Sequence, residues 1–248
     1  MAITVESKSG GQGASLTAAI LLYTNNNKVD YVSIHDIGFI GNDENRPYIG
    51  AGRPASQEAL SGLIKDLMPN LAKNKTIMPA NILSYDFDHI AWYTLPGKKH
   101  LWFNCQELGG EVSAEIDLPG LVFFAGHQGW YVFAHMLNGR PDGDTPMYVA
   151  PFLNVWKGGK ICTGNIKVPE IDSPHVTVAF EEAFFRSYFT HINIHEAGQL
   201  VSYRGGPYAM WRKLINGSIK KFPKKALVPF KATVGEFLEN FNEGDRNA

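Results

Sequence analysis

Apolar residues recur at spacings of three and four through Leu60, Leu63, Ile64, Leu67, Met68 and Leu71, which puts them on one face of a helix. Ser56 stands where a cap is needed, Glu58 favours the first turn, and Pro69 is placed to kink or end the helix. Upstream, LTAAILLY and VDYVSIHDI flank the turn-forming NNNK and predict a hairpin. Residues 38–55 are rich in Gly, Asn and Pro and read as a loop; their GAGRP lacks the spacing and the Lys-Ser/Thr of a phosphate-binding loop. From Asn81 to Val155 short apolar runs (NILSYD, HIAWYTL, KKHLWFN, GLVFFAG, WYVFAHML, MYVAPFLNV) are joined by short turns, which favours an antiparallel meander. Helical spacing returns with Ser173 and Pro174 ahead of Phe180, Phe184 and Tyr188, and again over Pro207 to Ile215 with Gly217 as its stop. Thr233 and Glu236 form a capping-box pattern before Phe237, Leu238 and Phe241. This order predicts an α+β fold: a hairpin extension over residues 1–50, a core domain over 51–217, and a basic tail with a short helix over 218–248.

Composition narrows the function classes. The 248 residues carry 24 acidic and 23 basic side chains, a net charge of -1, so the basic surplus of a nucleic-acid binder is missing and no nucleic-acid partner is expected. Two cysteines cannot build a disulfide framework, which points to a reducing, cytoplasmic compartment. No apolar run approaches the roughly 20 residues of a membrane span, so no membrane partner is expected. The Gly/Ser-rich lead has no basic cluster and no export-signal cleavage site, and its first 14 residues are expected to be loosely ordered.

The stretch that could carry chemistry is APFLNVWKGGKICTGNIKVP, Ala150 to Pro169. A strand ends near Val155, Gly158 and Gly159 make a turn, and Cys162 follows in an irregular stretch near Lys157 and Lys160. Positive charge or a base beside a thiol favours the nucleophilic thiolate. By residue type alone, a small buried filler is the stronger reading of Cys162.

A resemblance shifts that balance. The segment is similar to the active-site region of ubiquitin-conjugating enzymes, in which an asparagine precedes the nucleophilic cysteine by eight residues across a Gly-containing turn. Here Asn154 precedes Cys162 by eight, Ile161 precedes the cysteine, and Gly159 takes the turn position. YIGAGRPAS, MYVAPFLNVWKGGKICTGN, FEEAFFRSYFTHIN and WRKL further resemble PRTRC system protein B, a prokaryotic family related to those enzymes; this likeness spans most of residues 46–230. It implies a conjugating-enzyme-like fold for residues 51–217. It also implies that Cys162 receives a ubiquitin-like protein as a thioester from an activating enzyme and passes it to an amine, with Asn154 as oxyanion donor or loop brace. One departure stands out: Phe152-Leu153 occupy the place of the superfamily's His-Pro. The resemblance to the prokaryotic subgroup implies a histidine after the cysteine instead. His191, inside the FTH block, and His175 are the candidates for that role. The rival reading is a non-catalytic module that binds a ubiquitin-like protein or serves as a scaffold in a plasmid or mobile-element system.

The chemistry implied needs no metal or organic cofactor. Cys105 follows an apolar strand and reads as core. His191 and His195 are four apart beside Glu196, but HINIH alternates like a strand and the glutamate is out of place for a zinc protease. Asp142-Gly143-Asp144 is too short a ligand series for calcium. Lys220 to Lys231 hold the one basic cluster, read as solvated with an acidic partner as second choice. Trp156, between Asn154 and Cys162, either packs the loop or meets the incoming C-terminal tail.

Overall fold

The computed structural model describes residues 16–25, 28–41, 46–67, 77–86, 89–164, 166–194 and 196–243. The chain divides into two compact units, Met1–Lys75 and Thr76–Ala248. It is mixed α+β, with mostly antiparallel sheets and four α-helices among the described residues.

In the first unit β1 (Ala18–Asn25) and β2 (Lys28–Phe39) form the expected hairpin, with Ile20 opposite Ile34 and Leu22 opposite Val32. The segment read as a loop contains a third strand, β3 (Pro47–Pro54), antiparallel to β2. Its glycines are the reason it reads as a loop and also the reason it fits. A Cβ on Gly52 would stand 2.3 Å from the His35 ring. That buried ring is held by Ser33 Oγ at 2.7 Å and the Gly50 carbonyl at 2.9 Å. Helix α1 (Gln57–Leu67) begins as expected: the Ala59 amide donates to Ser56 Oγ at 3.1 Å. The expectations for residues 1–14, Met68, Pro69 and Leu71 fall outside the described residues. The division into compact units falls at residue 75, so β3 and α1 fall in the unit of the hairpin.

The second unit is built on a six-stranded sheet. In chain order it contributes β4 (Ile82–Tyr85), β5 (His89–Thr94), β8 (Gly120–Gly126), β9 (Gly129–His135), β10 (Pro146–Val149) and β12 (Pro229–Thr233). Their spatial order is β12-β10-β9-β8-β5-β4, all antiparallel. A smaller sheet joins β6 (Gly97–Cys105), β7 (Gly110–Leu118) and the two-residue β11 (Tyr188–Phe189), which runs parallel to β6. Strand β7 was not expected: Val112, Ala114, Ile116 and Leu118 alternate with Glu, Ser, Glu and Asp, so the stretch is half polar and makes no apolar run.

Both faces of the large sheet are covered, which explains the unbroken apolarity of GLVFFAG. Leu121, Phe123 and Ala125 face one cluster while Val122 and Phe124 face another. On the first face lies α2 (Thr177–Phe185), whose Phe180 and Phe184 rings meet Trp92, Phe123 and Trp130; α3 (Gly206–Ile215) joins the same cluster through Met210 and Trp211 and packs beside β7 and the Phe103 ring of the smaller sheet. On the second lies α4 (Val234–Glu243), whose Phe237 ring sits 4.6 Å from that of Phe124 and 4.7 Å from that of Phe133. The segment expected as a basic tail thus supplies an edge strand of the sheet, β12, and the helix over its second face, α4. The apolar face of Phe124 and Phe133 needs burial, and a capping box starts the helix that supplies it, with Thr233 N to Glu236 Oε2 at 2.8 Å and Glu236 N to Thr233 Oγ1 at 3.3 Å. Tyr188, expected on α2 by its spacing, lies past the helix end in β11.

Candidate functional site

After β10 the chain crosses the sheet end and doubles back. Val155 and Ile161 form an antiparallel bridge, Trp156 N donates to Lys160 O at 2.9 Å, and Cys162 N donates to Asn154 O at 2.8 Å. The turn closes with Gly159 N to Trp156 O at 2.8 Å. Gly159 is required there: its φ is +84°, and a Cβ would meet the Phe133 ring at 2.3 Å. The second arm also pairs with β9, through Ile161 N to Trp130 O at 2.8 Å and Val132 N to Gly159 O at 2.9 Å. It continues the edge of β9 that β10 occupies at Phe133 and Ala134.

The eight-residue spacing now has a geometric meaning. Asn154 and Cys162 are cross-strand partners in the hairpin. Val155 and Ile161 point into the core, so Asn154 and Cys162 share the other face. Cys162 is half-buried and, with Asn154, Thr163, Tyr188, Thr190 and His191, lines a cavity of about 430 Å³.

Asn154 ties the hairpin to β11. Its Nδ2 donates to the Tyr188 carbonyl at 2.7 Å, and its Oδ1 accepts from Thr190 N at 3.0 Å and Thr190 Oγ1 at 3.1 Å. One of its two N–H donors is thus committed to the backbone. Thr190 Oγ1 also lies 2.8 Å from His191 Nδ1. Phe152 and Leu153, where His-Pro was missing, are fully buried. Phe152 stacks on Phe189 with centroids 5.3 Å apart and meets Phe184 edge-on at 5.1 Å. Trp211 Nε1 donates to the Pro151 carbonyl at 2.9 Å. An aromatic cluster braces this loop from below.

His175, in a single 3-10 turn (Pro174–Val176) ahead of α2, is exposed and is not among the residues lining the Cys162 cavity. Lys157 is exposed, and Lys160 places Nζ 6.0 Å from the Tyr131 ring; neither lines the cavity. Cys105 is buried, and its thiol donates to Glu107 Oε2 at 3.2 Å; burial, with that carboxylate, pushes the thiol pKa up. His195 lies outside the described residues. Sequence reading missed Thr190, Tyr188 and Arg186. The signal for Thr190 was its place beside His191 in the FTHIN block. A larger cavity of about 670 Å³, with Trp102, Val178 and Phe185 in its wall, shares Arg186 and Tyr188 with the first.

The model of prokaryotic E2 family D matches residues 59–230. The chain belongs to prokaryotic E2 family D. In this E2-like chain the matched span begins within α1, ends within β12, and contains Asn154, Cys162, His175 and His191. No curated protein and no solved structure matches the chain. Among the described residues of this family D chain, no helix is long and apolar enough to cross a membrane.

Proposed function

We propose that this E2 family D chain carries a ubiquitin-like protein as a thioester on Cys162, on a core laid out like that of ubiquitin-conjugating enzymes. The observation that carries the reading is the hairpin register. It sets a half-buried thiol and a carboxamide side by side on one face, with His191 in the wall of the same cavity.

The donor is the C-terminal acyl group of the ubiquitin-like protein, held as a thioester on an activating enzyme. His191 takes the Cys162 thiol proton, the thiolate adds to the acyl carbon, and the tetrahedral oxyanion collapses with departure of the donor thiolate, which recovers a proton. An amine later attacks the new thioester, forming an amide and returning Cys162 to the thiol. Asn154 acts first as the brace that fixes Tyr188 and Thr190 against the loop; its second N–H is the one open to the oxyanion. Loss of such a donor costs about 100- to 1000-fold in rate. The aromatic packing of Phe152 takes over the loop support that the missing His-Pro pair would give.

The test is direct. The chain is mixed with its cognate activating enzyme, ATP and ubiquitin-like partner and run on a non-reducing gel. A thiol-sensitive adduct is expected on the wild type, none on Cys162→Ala, and a thiol-resistant oxyester on Cys162→Ser. No adduct on the wild type, or an adduct on Cys162→Ala, rejects the proposal.

A further inference from the structure

The hydrogen bonds around Asn154 settle more than its own position. Tyr188 offers a backbone carbonyl, which only accepts, and Thr190 offers a backbone N–H, which only donates. Two main-chain groups of opposite polarity therefore fix which end of the carboxamide is oxygen. Oδ1, so fixed, is also 3.1 Å from Thr190 Oγ1 and can only accept from it. The hydroxyl has a single proton, and that bond uses it. Toward His191 Nδ1, 2.8 Å away, Thr190 Oγ1 has only lone pairs left. With the hydroxyl proton on Asn154 Oδ1, the 2.8 Å contact takes its proton from Nδ1.

We propose that Thr190 is a positioning residue that holds the neutral His191 imidazole in its Nδ1–H tautomer, leaving Nε2 as the ring's open acceptor. Information passes in one direction along three links: backbone polarity orients Asn154, Asn154 orients the Thr190 hydroxyl, and the hydroxyl selects the ring nitrogen that carries the proton. The result opposes the default, since a free histidine side chain favours Nε2–H. Its catalytic consequence, an Nε2 able to take the Cys162 proton, rests on the transfer reading above.

The tautomer can be read without any transfer assay. Full-length protein carrying 15N-histidine is prepared, and long-range 1H–15N correlations are recorded above the ordinary imidazole pKa of about 6.5, with His191 assigned by its loss in His191→Gln. The expected wild-type pattern has the proton on Nδ1. Thr190→Val should move His191 toward Nε2–H, and Thr190→Ser, which restores the hydroxyl, should keep Nδ1–H. A wild-type ring protonated on Nε2, or a Thr190→Val ring that stays Nδ1–H, overturns the proposal. Where the Cys162 adduct forms, Thr190→Val should slow it roughly 2- to 10-fold, the value of one hydrogen bond, and should cost less on a His191→Gln background than on the wild type. An additive loss overturns the relay. Should no adduct form on the wild type, the transfer reading fails, and the nitrogen spectra still decide the tautomer.

Discussion

Replacing Asn154 by Asp changes almost no volume, yet it reverses one hydrogen-bonding group. Oδ1 can still accept from Thr190 N and Oγ1, but the atom replacing Nδ2 becomes an acceptor facing the Tyr188 carbonyl at 2.7 Å. A hydrogen bond with a net value of about 0.5–1.5 kcal/mol is lost, and an unsatisfied acceptor costs about 1–3 kcal/mol when buried. Asn154 is only half-buried, so the lower ends apply and a total of about 1.5 kcal/mol is expected at pH 7. Protonation would restore a donor toward Tyr188, so the folded state raises the pKa of the new carboxyl above its unfolded value of about 3.9. The sign follows: the stability supplied by the protonated form is fully present below that unfolded value and is lost as pH rises through the folded one. All five tryptophans lie in the second unit, so tryptophan fluorescence during urea unfolding reports on the unit that holds the site. With a slope of about 2 kcal/mol per molar urea, the Asn154→Asp midpoint should fall by about 0.75 M at pH 7, and the gap to wild type should narrow near pH 4. Equal midpoints at pH 7, or a gap that widens as pH falls, would refute the bracing role of the carboxamide.

Gly159→Ala should cost about 2–4 kcal/mol in the same assay, from the positive φ and the 2.3 Å approach to the Phe133 ring; a loss under 0.5 kcal/mol would contradict the turn geometry. Phe152→His, which restores the superfamily's residue type, should destabilise the unit by about 2 kcal/mol or more and should not speed adduct formation, because the ring sits among Phe184, Phe189 and Trp211. Burial lowers the pKa of His135, whose Nε2 faces the Thr94 carbonyl at 3.2 Å. Stability should be full above the unfolded imidazole value of about 6.5 and fall as pH drops toward the lower folded value, and His135→Gln should flatten that slope. Glu236→Ala should cost about 1 kcal/mol by removing half of the capping box, seen as a lower urea midpoint.

Features written into local patterns were legible in the sequence. Ser56, Gly217 and the Thr233–Glu236 box mark helix ends through contacts only a few residues long. The apolar strands of the large sheet announce themselves because both faces are buried. What local pattern could not carry was partnership at a distance. β7 reads as half polar until β6 is placed beside it, and β3 looks like a loop until the His35 ring explains its glycines. The site divides in the same way. Asn154 and Cys162 were singled out by the resemblance to conjugating enzymes, and the hairpin turns their eight-residue spacing into adjacency. Thr190 reaches Asn154 across 36 residues, and no periodicity of either segment encodes that meeting. His175 is nearer to Cys162 in sequence than His191, yet only His191 lines its cavity, since β11 returns the later segment to the loop.

The two-arm turn also sets a rule of parity for any change in its length. Side chains along each arm alternate between core and cavity, so adding or deleting a single residue between Trp156 and Lys160 would send the sulfur inward and bring Ile161 out into water, unless a bulge absorbed the change. Relatives that keep the cysteine and the asparagine as neighbours are therefore expected to lengthen or shorten this turn two residues at a time, and an odd step would mark a lineage in which the pair no longer works together.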